Sequence, residues 1–173
     1  WYLKPENWFA NAELVREIGG AEDLLYEAKP VKADTAILYS SSTDIWTLGK
    51  NYAYGFDRMH TWLALTHSQI PVDIISERDL EDGFLDEYKV CYFSGQNLTK
   101  KGADMLRKWV ENGGTLVLTA GAGSRDQYNQ RISVLEDILP AGRGSLEELQ
   151  NYLSSGRHID TLSARDVVTV GNA

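Results

Sequence analysis

Any chemistry in this chain would have to come from a few clusters of polar side chains at the ends of apolar runs. One run, Leu116 to Leu118, ends in Thr119-Ala120-Gly121-Ala122-Gly123-Ser124-Arg125-Asp126. A sharp turn after a parallel strand is a favourable seat for a nucleophile, and its hydrolase form reads G-x-S-x-G. Here Ser124 follows Gly123 and precedes Arg125-Asp126, and no cysteine stands at Gly121, Ala122 or Gly123. The turn is a degenerate nucleophile elbow. Ser124 is the weak catalytic candidate it leaves, because a serine needs a base and His60, His67 and His158 offer no evident one. Capping a helix is the plainer expectation for it.

Two other polar groups follow apolar runs. Ser40 to Asp44 follows TAILY, and Ser94 to Asn97 follows VCYF. In open α/β sheets, ligands sit in the crevice outside the carboxyl ends of the strands. Ser41, Ser42, Asp44, Ser94, Gln96 and Asn97 are therefore weak ligand-binding candidates, with capping and turn formation as the alternative. Neither group carries a lysine, and no phosphate-loop pattern occurs, so no nucleotide or other cofactor is expected.

Glu77, Asp79, Glu81 and Asp82 could supply a carboxylate pair for acid–base work, but their spacing selects no pair. A solvated loop is expected there. His60 and His67, seven residues apart, have no i, i+4 partner or nearby third ligand, so no metal site is expected. The single cysteine, Cys91, excludes an internal disulfide framework and a cysteine-based zinc site; within VCYF it reads as a buried structural thiol.

The elements that would position these groups are legible from periodicity. Strands are predicted at Thr35–Ser40, Val72–Ile75, Lys89–Ser94 and Thr115–Thr119, and a last one, at an edge, at Asp166–Val170. Between them fall helices at about Tyr52–His67, with Phe56, Met59, Leu63 and Ile70 near helical spacing, and at Lys100–Glu111. The second is capped by Thr99, has Ala103, Leu106, Trp109 and Val110 as its buried stripe, and stops at Asn112-Gly113. Capping-box signals open short helices at Ser133 and Ser145. The uninterrupted LVL of Leu116 to Leu118 suggests a strand covered on both faces.

Strands alternating with helices predict an α/β fold, a three-layer doubly wound parallel sheet, flavodoxin-like, with strand order 2-1-3-4. That fold is expected over residues 33–173. Residues 1–32 read as a connector with a helix at Ala12–Glu27, divided at Gly19-Gly20. Its Trp1, Tyr2, Trp8 and Phe9 are expected to pack this connector against its own domain or a preceding one.

Seventeen basic against twenty-five acidic residues give a net charge of −8 without long single-sign runs. Nucleic acid and anionic membrane surfaces are not expected partners, because phosphate contacts need clustered Lys and Arg. No apolar run approaches the ~20 residues of a membrane span. The chain opens on Trp1 and closes on a strand-like DVVTVG, from which we expect a segment of a longer protein, truncated at its C-terminus. Nothing in the residues marks a compartment.

Three stretches carry a resemblance: IPVDIISERDL, then LDEYKVCYFSG, then a helix ending WVENGGTLVLTAGAGSRD. In this order they resemble the middle, or trimerisation, domain of family 42 β-galactosidases, which has the class I glutamine amidotransferase-like fold. The similarity runs from about Ala33 to Pro140. It implies a turn that seats a catalytic cysteine in true amidotransferases, and here Gly121 stands in that place. The later His-x-Glu pair is also missing, since His158 precedes Ile159 and Asp160.

The resemblance thus implies a noncatalytic accessory domain of a larger glycoside hydrolase. Its partners would be further copies of itself or a neighbouring catalytic barrel, a barrel not contained in these residues. The alternatives are a carbohydrate or small-ligand binding module using the crevice, and a divergent amidotransferase-like hydrolase using Ser124 or Asp126.

Overall fold

Helix α6, Lys100–Glu111, shows how local sequence builds the sheet's support. Thr99 caps it, its hydroxyl accepting from Gly102 N at 3.0 Å. Gly102, Ala103, Leu106, Trp109 and Val110 are buried, which is the expected stripe with Gly102 added. Asn112 ends the helix and Gly113 takes a φ of 101°, a conformation that favours glycine. Thr99→Ala should cost about 1 kcal/mol, the usual value of an N-cap. Thr99→Ser should recover most of that loss in denaturant unfolding.

The computed structural model describes residues 4–47, 53–119, 121–138 and 165–169. Two units are distinct: Trp1–Lys32 and Ala33–Ala173. The first holds α1 (Pro5–Gly20) and α2 (Glu22–Glu27), separated at Ala21. The helix begins seven residues earlier than Ala12 because Pro5 is tolerated in a first turn, where its missing N–H has no partner to lose. The division near the glycine pair is as expected. Within this unit Leu14, Val15, Ile18, Leu24 and Leu25 are exposed, as are Trp8 and Phe9; Trp1 and Tyr2 lie outside the described residues.

The second unit runs β1 (Thr35–Tyr39), α3 (Ser41–Thr47), α4 (Ala53–His67), β2 (Val72–Ser76), α5 (Glu77–Glu81), a 3-10 turn (Phe84–Glu87), and β3 (Val90–Phe93). Then come α6, β4 (Thr115–Thr119), a second 3-10 turn (Glu136–Ile138) and β5 (Arg165–Thr169). The sheet order is β2-β1-β3-β4-β5. The first four strands are parallel in the predicted 2-1-3-4 order. The fifth is the expected edge strand, and it runs antiparallel to β4. The capping-box signal at Ser133 yields only the second 3-10 turn; the helix predicted from Ser145 and the residue His158 fall outside the described residues.

The two faces of the sheet are unequally covered. Ala36, Leu38, Ile75, Cys91, Phe93, Leu116 and Leu118 join Leu80, Leu106, Trp109 and Val110 of α5 and α6 in one core. Alternate residues point the other way. There Ile37 is buried, but Tyr39 and Ile74 are exposed at 36% and 62%. Burial along β3 and β4 also alternates, with Val90, Tyr92, Thr115 and Val117 only half-buried. The LVL run therefore does not mean equal cover on both faces, because an apolar residue can sit on a partly open face at no cost to the pattern.

The apolar residues noted at helical spacing in and just after α4 do not form its buried face. Tyr54, Asp57, Thr61 and Leu65 are buried, while Phe56, Met59 and Ile70 are exposed and Leu63 is half-buried. Apolar spacing does not mark the buried side here because this helix turns hydroxyls and a carboxylate inward. No described helix is long and apolar enough to cross a membrane.

Candidate functional site

The residues at the carboxyl ends of β1 and β3 meet in a hydrogen-bond network centred on Glu77. This carboxylate begins α5 and is 6% exposed. Its Oε2 accepts from Ser41 Oγ and Ser42 Oγ, each at 2.9 Å, and from Ser42 N at 3.3 Å. Ser40 Oγ lies 3.1 Å from Oε1. The carboxylate thus sits against the first turn of α3, where the partial positive charge of unpaired backbone N–H groups favours an anion. The acidic stretch expected as a solvated loop is instead α5. Its other ends are tied as well: Asp79 closes a capping box with Ser76, and the backbone N–H and hydroxyl of Ser76 hold its carboxyl below the ordinary value.

Ser40 caps α3, accepting from Thr43 N at 2.9 Å. Thr43 Oγ1 accepts from Asn97 N at 2.9 Å and donates to the Asn97 carbonyl at 2.9 Å. Asn97 Nδ2 donates to the Asp126 carbonyl at 2.9 Å and to Asn129 Oδ1 at 3.2 Å. Gly95 makes this closeness possible, since a Cβ there would stand 2.6 Å from Thr43 Oγ1. Ser41, Ser42 and Asn97 are therefore brought together through Glu77, Ser40 and Thr43.

The other crevice candidates point elsewhere. Asp44 pairs with Arg58 through both oxygens, at 3.1 and 3.0 Å, and raises the pKa of the Tyr39 hydroxyl. Gln96 accepts from Arg125 N at 3.0 Å through its backbone carbonyl, joining the loop after β3 to the turn after β4. Ser94 Oγ bonds Asp57 Oδ2 and lies 2.8 Å from Thr119 Oγ1, which donates to the same Asp57 oxygen at 2.7 Å. Asp57 is 1% exposed and Tyr54, one turn earlier, is 2% exposed, with burial and the Asp57 charge both raising its pKa.

The turn after β4 is closed by its own backbone. Gly121 and Gly123 have φ values of 75° and 66°, and Ala122 N donates to the Thr119 carbonyl at 2.9 Å. A Cβ on Gly123 would stand 2.6 Å from Leu135 Cδ1, so the turn is roofed by a core side chain. Ser124 Oγ donates to the Gly121 carbonyl at 2.8 Å. It closes the turn and caps no helix, since irregular chain follows it. Asp126, 1% exposed, accepts from Tyr128 N and Gln130 N at 2.9 and 2.8 Å, the signature of a carboxylate shaping a turn.

His60 stacks on Phe56 at 6.5 Å and its Nδ1 is buried without a partner. No group of three His, Cys, Asp or Glu side chains able to hold a metal occurs among the described residues. Cys91 is fully buried as expected, and that burial pushes its thiol up to about 12. The sequence reading placed Glu77 only in an acidic stretch expected as a solvated loop, and it singled out none of Thr43, Asp57 and Thr119. Only the position of Glu77, immediately after a strand and opposite three serines, was a usable signal.

With this geometry in place, the likeness to known proteins becomes decisive. The family described as "Beta-galactosidase trimerisation domain" matches residues 33–170. This chain belongs to that family. Solved structures agree on the fold. Gan42B, a GH42 β-galactosidase from G. stearothermophilus, superposes with a TM-score of 0.54 at 23% identity, covering 63% of this chain and 17% of that enzyme. A β-galactosidase from Bacillus circulans sp. alkalophilus gives 0.58 at 23% identity, over 74% of this chain and 20% of the enzyme. One from Bifidobacterium adolescentis gives 0.50 at 18% identity, over 72% of this chain and 54% of the other. The chain thus spans under a quarter of the first two enzymes. No curated protein matches it. In this trimerisation-domain chain the Ser41 and Ser42 hydroxyls are bonded to Glu77 and the Ser124 hydroxyl to the Gly121 carbonyl.

Proposed function

We propose that the chain is a noncatalytic middle domain of a larger β-galactosidase-like protein, where it holds copies of that protein together and borders a neighbouring catalytic domain. The observation that carries this reading is the turn after β4. Where an amidotransferase-like enzyme needs a thiolate, Gly121 offers no side chain, and Leu135 packs over Gly123 beside it. A glycine cannot attack an amide.

The alternatives have less support. A hydrolase using Ser124 would need a base, and the Ser124 hydroxyl is committed to the Gly121 carbonyl. A carbohydrate in the crevice of Ser41, Ser42, Asp44, Ser94, Gln96 and Asn97 would first have to displace Glu77, which already takes the Ser41 and Ser42 hydroxyls.

The test is the association state of the full-length protein by sedimentation across a dilution series. The expected result is a concentration-dependent oligomer. Ser124→Ala should leave that oligomer, and any turnover of the parent protein, unchanged. A protein monomeric at every concentration would overturn the reading, and loss of turnover in Ser124→Ala without loss of folding would favour the hydrolase.

A further inference from the structure

We infer that Asn112 is a modification site, where attack by the Gly113 backbone nitrogen expels the side-chain amide as ammonia and leaves aspartate or isoaspartate between α6 and β4. The first support is the pair itself. Asn112 is the only asparagine of the chain that glycine follows. Glycine has no Cβ, so the attacking nitrogen is uncrowded and its backbone turns freely.

The second support is freedom at the site. Both residues are exposed, and among the described residues the Asn112 side-chain amide has no hydrogen-bond partner. A Cβ at Gly113 would meet nothing within 4 Å, so a ring that closes there has room. The other described asparagines are held. Asn7 and Asn11 lie within α1, Asn97 is fully buried, and Asn129 Oδ1 accepts from Asn97 Nδ2 at 3.2 Å. Asp82-Gly83 ends α5 with the same backbone shape, Asp82 at a ψ of 0° and Asn112 at 8°. An ionised carboxylate resists nucleophilic attack, however, and Asp82 lies 3.8 Å from Arg78.

One contact restrains the reaction. Gly113 N donates to the Val110 carbonyl at 2.9 Å, so the attack waits for the last turn of α6 to open. Helix ends fray at little cost. In the open turn the Gly113 nitrogen gives its proton to solvent base and bonds to Asn112 Cγ. The Cγ–Nδ2 bond then breaks, ammonia leaves, and a five-membered imide closes. Water opens the imide at Cγ to give aspartate, or at the main-chain carbonyl carbon to give isoaspartate. No oxidant or reductant takes part.

The position gives the change a consequence. The imide nitrogen carries no proton, so its bond to the Val110 carbonyl is lost at that stage. Isoaspartate then adds a methylene to the main chain just before Gly114, whose N–H holds the Trp109 carbonyl at 3.0 Å and where a Cβ would already stand 2.3 Å from the Trp109 ring. Either product also places a negative charge at the C-terminus of α6, the end at which the helix dipole favours a cation.

The experiment ages full-length wild type and Asn112→Gln at mildly alkaline pH, both folded and in denaturant. It follows peptide mass, labelling by an isoaspartyl methyltransferase, and thermal melting. Folded wild type should show the amide-to-acid mass change on the peptide holding Asn112, with isoaspartate in excess of aspartate and melting that broadens toward lower temperature. Asn112→Gln should keep its mass, stay unlabelled and melt unchanged, because glutamine would have to close a larger ring. Gly113→Ala should slow conversion at least about tenfold by crowding the nitrogen, even though its strained backbone loosens the turn. Folded wild type that stays unconverted overturns the inference, whether or not the denatured chain converts. Conversion of another asparagine first also overturns it, and so does aspartate formed without isoaspartate, which would mean direct hydrolysis by water.

Discussion

Glu77→Ala is expected to lower the unfolding free energy by about 3 to 5 kcal/mol, the range for stranding buried partners of a carboxylate. Glu77 receives Ser41 Oγ, Ser42 Oγ and Ser42 N, with Ser40 Oγ at 3.1 Å. Its loss is uneven among them. Ser41 is exposed and can turn to water, and Ser40 keeps the Asn97 carbonyl at 2.7 Å. Ser42, at 8% exposure, loses the acceptor for both its N–H and its hydroxyl. Glu77→Gln keeps the shape and one acceptor oxygen, and hydroxyls can rotate to accept from the new amide. It should cost about 1 to 2 kcal/mol, roughly one hydrogen bond. Denaturant unfolding of the two variants checks the order. Equal losses would mean that side-chain packing, and not the acceptor oxygens, is what Glu77 contributes.

That network marks the boundary of what the chain's residues disclose by themselves. The parallel order β2-β1-β3-β4 is readable because each strand–helix–strand step has one favoured hand and short connections. The buried stripe of α6 is readable because its apolar residues recur at helical spacing between a cap and a glycine stop. On α4 the same rule selects Phe56, Met59, Leu63 and Ile70, whereas the buried side holds Tyr54, Asp57 and Thr61. Hydrophobic periodicity cannot register a polar group whose partners, here Ser94 and Thr119, lie 37 and 62 residues away along the chain. Glu77 was visible as an acidic residue after a strand, but its partners Ser41 and Ser42, 36 and 35 residues away at another strand end, were not. The direction of β5 has no local signal, since an edge strand pairs equally well in either sense.

Gly114→Ala is expected to cost about 3 kcal/mol, an overpacking penalty. A Cβ at Gly114 would stand 2.3 Å from Trp109 Cδ2 and 2.4 Å from Cε2. The Trp109 ring is 6% exposed within the core formed by α5, α6 and the sheet, so it cannot swing aside cheaply. Nor can the backbone easily retreat, because Gly114 N donates to the Trp109 carbonyl at 3.0 Å. The neighbouring glycine gives the contrast. A Cβ at Gly113 meets nothing within 4 Å, but its φ of 101° is unfavourable for alanine, so Gly113→Ala should cost only about 1 to 2 kcal/mol. Two adjacent glycines thus matter for different reasons, one for space and one for conformation. Trp109→Leu separates them. It removes the ring atoms nearest the new methyl, so Gly114→Ala in that background should lose most of its cost, a coupling of at least about 1 kcal/mol in a double-mutant cycle. The cost of Gly113→Ala should be the same in both backgrounds. Additive losses for Gly114 and Trp109 would place the strain in the backbone and refute the steric account.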